Sequence, residues 1–398
     1  MIPAMRKWFN DNYTTEKYQS YLNELNNKYP GCIDFRVAET PLFIGKSFTS
    51  MILSTCESVI DVITQSNFSD LTKNAIPQEV KVPNESSFPQ FIVFDFGICA
   101  NEKGELEPQL IEMQGFPSLF AYQALTDEIT TQLFNIPSNY SAYLNGFTKE
   151  SYLHLFKEII IGSHPAENVV LLELLPHQQK TRIDFYCTRD YTGISIVCLT
   201  ELIKEGKKIY YKKDGIKIEI KRVYNRILFD ELQKQPAEIQ EKGKILFEEL
   251  VVEWIPHPNW FYRISKYTLP FINHPYVPQT TFLNEIKELP VDLQNYVLKP
   301  LFSFAGQGVV IDVTPADIAK VTHPQNWVLQ RKVKYANVIK TPGESVKAEI
   351  RIFYFWKEGT ERPIATSNLA RLSKGKMVGT RYNQHQDWVG SSQCYFEK

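Results

Sequence analysis

The stretch LKPLFSFAGQGVVIDV, residues 298–313, sets one lysine at the end of an apolar run and two glycines ahead of another. Two readings fit it. In one, Lys299 is a solvated strand-end lysine, and Gly306 and Gly308 form a hairpin turn with positive φ. In the other, Lys299 reaches phosphate oxygens. A small loop carrying Ser303, Gly306, Gln307 and Gly308 then closes over them with glycine-freed backbone N–H groups. Two common phosphate motifs do not apply. GQGVVI lacks the third glycine of a dinucleotide fingerprint, and Gly45-Lys46-Ser47 has the tail of a P-loop with Thr40 where its first glycine belongs. About thirty residues on, WVLQRKV (327–333) reads as a strand whose backbone suits a purine edge, with Gln330 at its polar turn-out.

A phosphate site of this kind needs a hard cation held by oxygen ligands. The candidates lie far upstream. Asp95 interrupts the apolar VFDFG, and Glu112 and Gln114 interrupt LIEMQG. Positions i and i+2 of a strand share a face, so Glu112 and Gln114 can aim at one ion and Asp95 can join them from a paired strand. A charge between buried apolar residues is costly unless it is paired or metal-bound. The competing reading is therefore that Asp95 and Glu112 pair with Arg or Lys.

The bulk numbers narrow the classes. The 398 residues are 43% hydrophobic and 22% charged, enough for two or three subdomains, and the net charge of −1 supplies no field for nucleic acid or an anionic membrane. Six scattered cysteines without CxxC spacing read as reduced thiols, and the polar, aromatic N-terminal segment lacks the apolar core of a signal peptide. The expectation is a cytoplasmic protein with no membrane span.

Residues 6–30 read as a helix stopped by Pro30-Gly31, 49–65 as a second helix, and 70–89 as a linker. Then come strands at 90–100 and 107–115, and a strand buried on both faces at 167–175. A hairpin at 207–225 turns on Asp214-Gly215, residues 230–254 read as a charged helix, and further strands follow at 326–333 and 347–356. This is an α+β (mixed α/β) pattern. The expected division is a mainly helical region (1–89), a central α/β region with the acidic motif (90–240) and a lysine/glycine-loop lobe (241–398).

Taken in order, FDFG…GELEPQLIEMQGFPS, YVLKPLFSFAGQGVVI, VLQRKV and AEIRIFYFW…RPIATSNLARLSKGKMVGTRYN resemble the glutathionylspermidine synthase-like proteins. These are ATP-grasp ligases of circularly permuted order, with the acidic half ahead of the lysine half. The resemblance covers roughly residues 90–125 and 210–398, and it implies a pre-ATP-grasp-like N-terminal region. It implies Mg²⁺ ligands at Asp95, Glu112 and Gln114, the last standing where the family has Asn. It implies ATP contacts at Lys299, Ser303, Gly306, Gln307, Gly308 and Gln330. Two departures stand out. The family has a catalytic arginine two residues before the aspartate, where this chain has Val93. It also has an earlier ATP lysine, which HPYVPQTTFLNEI (274–286) lacks, Lys287 being the nearest substitute.

Arg351, Arg371, Arg226 and Arg182 are the candidates for the missing charge. For an acidic substrate the candidates are Lys180 and Arg182 in HQQKTRIDFYCTRD, Arg222 in KRVYNRI and Asn368 in TSNLARLS, each with a bland reading as surface or strand-end polarity. The implied activity is ADP-forming carboxylate–amine ligation through an acyl phosphate, on a small peptide or amino acid and an amine. The alternatives are a nucleotide-binding relative without ligase activity and an interaction module.

Overall fold

The computed structural model describes residues 1–303, 306–341, 343–375, 378 and 386–398. Phe304 and Ala305 of the glycine loop, and most of the closing KMVGTRYN, lie outside the described residues.

Strand Phe91–Ala100 is buried along almost its whole length, because both of its faces carry apolar side chains. It becomes an inner strand of a five-stranded antiparallel sheet in the order Gly390–Ser392, Ile364–Ser373, Lys347–Phe355, Phe91–Ala100, Leu106–Gln114. Asn101 sets the tight turn between its last two strands. Its Oδ1 accepts from the N–H groups of Lys103 (3.0 Å) and Glu105 (2.9 Å). A second antiparallel sheet runs Thr280–Phe282, Trp327–Arg331, Tyr296–Pro300, Val310–Ile311. The third is parallel, in the order Glu253–Ile255, Arg222–Asn225, Val169–Glu173, Ser195–Cys198. The fold is mixed α and β.

Several elements differ from the sequence reading. The 6–30 helix is two, Pro3–Asn12 and Thr15–Lys28, because Thr14 caps the second by accepting from Lys17 N at 3.2 Å. The Asp214-Gly215 hairpin has both turn residues at positive φ (51° and 80°) but ends at Ile220. Residues Arg222–Asn225 leave it for the parallel sheet, where all four are buried. The 230–254 stretch breaks into Phe229–Leu232, Ala237–Gly243 behind Pro236, a 3₁₀ turn and the strand Glu253–Ile255. Helix Phe120–Phe134 gave no periodic signal, because it is buried at every position from 120 to 127. Buried Asp184 caps its first turn, accepting from Leu119 N (3.0 Å) and Tyr122 N (2.9 Å).

The five-stranded sheet draws strands from both the 90–240 and the 241–398 spans, and Leu42–Ile44 pairs in parallel with the last strand, Cys394–Glu397. Among the described residues no helix is long and apolar enough to cross a membrane.

Candidate functional site

Asp95 and Glu112 are register partners, as are Val93 and Gln114, so one sheet face carries Asp95, Glu112 and Gln114. Between Asp95 and Phe96 the register slips: Phe96 opposes Leu110, which leaves Ile111 as an extra bulged residue. Further along the same face, Val93, Phe353 and Phe355 are core, as is Leu369 beside Arg351. The sheet face is thus apolar at one end and ionic at the other.

Asp95 is fully buried and doubly clamped. Arg351 donates from Nε to Oδ1 and from Nη2 to Oδ2, both at 2.6 Å, and Arg371 Nη2 donates to Oδ2 at 3.1 Å. Burial alone would raise the Asp95 pKa. The two guanidiniums outweigh it and hold the carboxyl below its ordinary value. Arg371 also meets Glu349 at 2.9 Å, and the Tyr335 hydroxyl donates to the other oxygen of Glu349. Burial pushes Glu349 upward against the pull of Arg371. The Tyr335 ring lies over Gly97, where a Cβ would stand 2.8 Å from it, so this corner needs glycine.

Two buried lysines approach the same face from other elements. Lys299 Nζ donates to Gln330 Oε1 (2.5 Å) and across to the carbonyl of the bulged Ile111 (3.2 Å). Lys266 Nζ donates to Ser303 O (2.6 Å) and stands 4.0 Å from Glu112 Oε2. Burial lowers both pKa values, Lys299 to about 8, and the Glu112 charge opposes the shift in each. Glu112 also accepts from Gln114 Nε2 at 3.0 Å and interacts with Asp95 beside it. Two buried ammonium groups sharing one carboxylate is a costly arrangement that a bound polyanion would relieve. Glu112, Gln114, Phe116, Phe261, Lys266 and Ser303 line a small, partly open pocket there.

Lys266 is the residue that the sequence reading missed. Lys287, the expected substitute, is exposed. Lys266 opens a 3₁₀ turn, Lys266–Phe271, and the 70–89 linker braces the segment before it. Arg263 binds Glu85, Ser69 O (3.0 Å) and Thr72 Oγ1 (2.9 Å), while Asn259 bonds both backbone groups of Val82 at 3.0 Å. The available signal was a lone lysine inside the aromatic run WFYRISKYTLPF.

Gly306 and Gly308 both hold φ of +71°, a left-handed conformation that glycine adopts freely, and Gln307 between them is exposed. The Gln330 side chain is buried, bonded to Lys299 and Thr280. Arg226 ends the buried strand Arg222–Asn225. It donates to Pro117 O at 2.5 Å and lies over the Phe116 ring at 4.8 Å, and its Nε has no hydrogen-bond partner among the described residues. It reaches the cavity only through Phe116 and is not part of the Asp95 cluster.

The four substrate candidates are not brought together. Lys180 is exposed, and Arg182 holds Asp34 and Gly31 O. Arg222 caps a helix end through Ile159 O (2.9 Å) and Ile160 O (3.0 Å) and pairs with Glu253. Asn368 spends its amide on Ala142 O (2.9 Å), Cys394 O (3.0 Å) and Cys394 N (2.7 Å).

The donor set bears on Mg²⁺. Both Asp95 oxygens are engaged by guanidinium N–H groups, and among the described residues no three His, Cys, Asp or Glu side chains gather as a metal cage. A nucleotide-borne Mg²⁺ asks less, one or two protein oxygens beside phosphates and water. Glu112 fits that need. So does Gln114, whose amide nitrogen faces Glu112 and whose oxygen is left over.

No family model and no curated protein matches this chain. Among solved structures it is similar to a glutathione synthetase-like effector (GSS30) from Globodera pallida in its apo form, at 9% identity and a TM-score of 0.59. The likeness covers 96% of each chain, and at this identity it is a likeness of fold.

Proposed function

We propose that this chain is a permuted ATP-grasp protein that binds Mg-ATP between its five-stranded and four-stranded antiparallel sheets and uses it to join a carboxylate to an amine. The observation that carries the reading is the convergence of Lys266 and Lys299, from separate elements, on the acidic strand at Ile111 and Glu112. The glutathione synthetase-like fold and the order of the motifs support it.

In this reading Lys266 and Lys299 neutralise the phosphate oxygens and hold them in line. Glu112 and Gln114 would hold a nucleotide-borne Mg²⁺, which would draw charge off the phosphates. The loop at Gly306–Gly308 covers the phosphates and keeps water out. A substrate carboxylate oxygen attacks the γ-phosphorus, and the bond to the ADP oxygen breaks. The amine nitrogen then attacks the acyl carbon, the carbon–oxygen bond to phosphate breaks, and the amine's surplus proton goes to solvent. Arg371, with its side chain about a third exposed, is the guanidinium placed to meet the developing charge. Arg351 is committed to Asp95 and positions that pair. Arg226, buried and bonded to Pro117 O, braces Phe116 behind the pocket and does not meet substrate itself.

A second reading, nucleotide binding without ligation, is favoured by one observation. Val93 occupies the family's arginine position as a fully buried core residue, and Asp95 spends its charge on Arg351 and Arg371. Titration calorimetry with Mg-AMPPNP tests nucleotide binding. ADP release in the presence of amino acids, small peptides and polyamines separates the two readings. Binding without release on any of them would select the second.

A further inference from the structure

We propose that Thr280 and Gln330 are positioning residues: a two-step hydrogen-bond relay that fixes the Lys299 ammonium where it meets phosphate. The relay rests on the reading that Lys299 faces a nucleotide.

The direction of each bond follows from the chemistry of its ends. The carbonyl of Pro278 can only accept, so the Thr280 hydroxyl donates to it, at 2.8 Å. The Thr280 oxygen then accepts from Gln330 Nε2 at 3.0 Å. That leaves the Gln330 amide one orientation, with Oε1 toward Lys299 Nζ at 2.5 Å. The backbone puts all three on one face. Thr280 opposes Gln330, Gln330 opposes Val297, and Lys299 lies two residues beyond Val297 on the same strand. All three are buried. The second acceptor for Lys299 comes from the facing sheet, as the carbonyl of the bulged Ile111. Two of the three ammonium N–H groups are so fixed, which aims the third.

The amide is suited to this task. A carboxylate at position 330 would form a full ion pair and compete with phosphate, and an apolar side chain would leave Lys299 with one acceptor. HPYVPQTTFLNEI, in which no second lysine is found, contributes Thr280 to the first one instead.

The test is a double-mutant cycle read by calorimetry with Mg-AMPPNP and with adenosine. Thr280→Val should weaken AMPPNP binding about tenfold and leave adenosine binding unchanged. Thr280→Ser should restore the wild-type value, and Thr280→Val should add nothing in a Lys299→Met background. Equal losses for AMPPNP and adenosine, or the same loss with Lys299→Met already present, would overturn the relay. If Lys299→Met leaves AMPPNP binding intact, or if the wild-type chain binds none, the phosphate role of Lys299 fails and the relay with it. Thr280→Ala serves as the same test should the valine variant not fold.

Discussion

Lys266 Nζ stands 4.0 Å from Glu112 Oε2, which ties the segment ahead of the second antiparallel sheet to the acidic strand of the first. Glu112 is the carboxylate of that strand that faces Lys266. Replacing it with Gln should abolish Mg-AMPPNP binding, by more than about a hundredfold, and lower the thermal unfolding midpoint, because the buried Lys266 and Lys299 lose their carboxylate. Retained ATP turnover in this variant would count heavily against the proposed role.

Nucleotide affinity should fall as the pH rises above about 8. In the free protein Lys299 loses its proton near there, because burial disfavours the charged form. A phosphate-bound ammonium must be charged, so binding above that pH takes up a proton and the affinity drops by up to about tenfold per pH unit. Calorimetry in buffers of different ionisation enthalpy measures this uptake. Zero uptake at pH 9 would contradict it.

Asp95→Asn should be strongly destabilising, by about 3–5 kcal/mol, because it leaves the buried Arg351 without the charge that compensates its burial, while Arg371 keeps Glu349. The sign with pH follows from the lowered pKa. The stabilising contribution is present above the ordinary carboxylate pKa and is lost as the pH falls through the lower folded value. Urea unfolding of the variant at pH 7 checks the magnitude.

Glu173 acts in the opposite sense. Burial raises its pKa to about 8, against the pull of the adjacent Leu174 N, which donates to it at 2.6 Å, and of the Arg226 charge. Its contribution to stability is full below the ordinary glutamate value and is lost as the pH rises through about 8. Glu173→Gln should therefore raise the thermal midpoint at pH 8, and the gain should shrink toward pH 4.5. A gain independent of pH would show that burial of the charge is not its cause.

Much of the candidate site was legible in the sequence because it lies on strands. Alternation places Glu112 with Gln114, and the short Asn101–Gly104 turn brings Asp95 beside them. The paired strands around Gly306 and Gly308 were legible for the same reason. Lys266 was not. It lies in a 3₁₀ turn without periodicity, held by contacts to residues 69–85 that no local pattern reveals. The Ile111 bulge, which turns a carbonyl toward Lys299, is a register slip visible only once both strands are paired. Arg182, Arg222 and Asn368 looked available because their acceptors, Asp34, Ile159 and Cys394, are remote in sequence from their own strands and helices. Helix Phe120–Phe134 was hidden by burial all round, since periodicity needs a solvated face.

The central claim is that a nucleotide's phosphates lie between the two buried lysines and Glu112. A crystal structure with Mg-AMPPNP bound tests it most directly. The account predicts phosphate oxygens within about 3 Å of both Lys266 Nζ and Lys299 Nζ, with the ion on Glu112. A nucleotide bound elsewhere on the chain, with both lysines still on their protein acceptors, would contradict it.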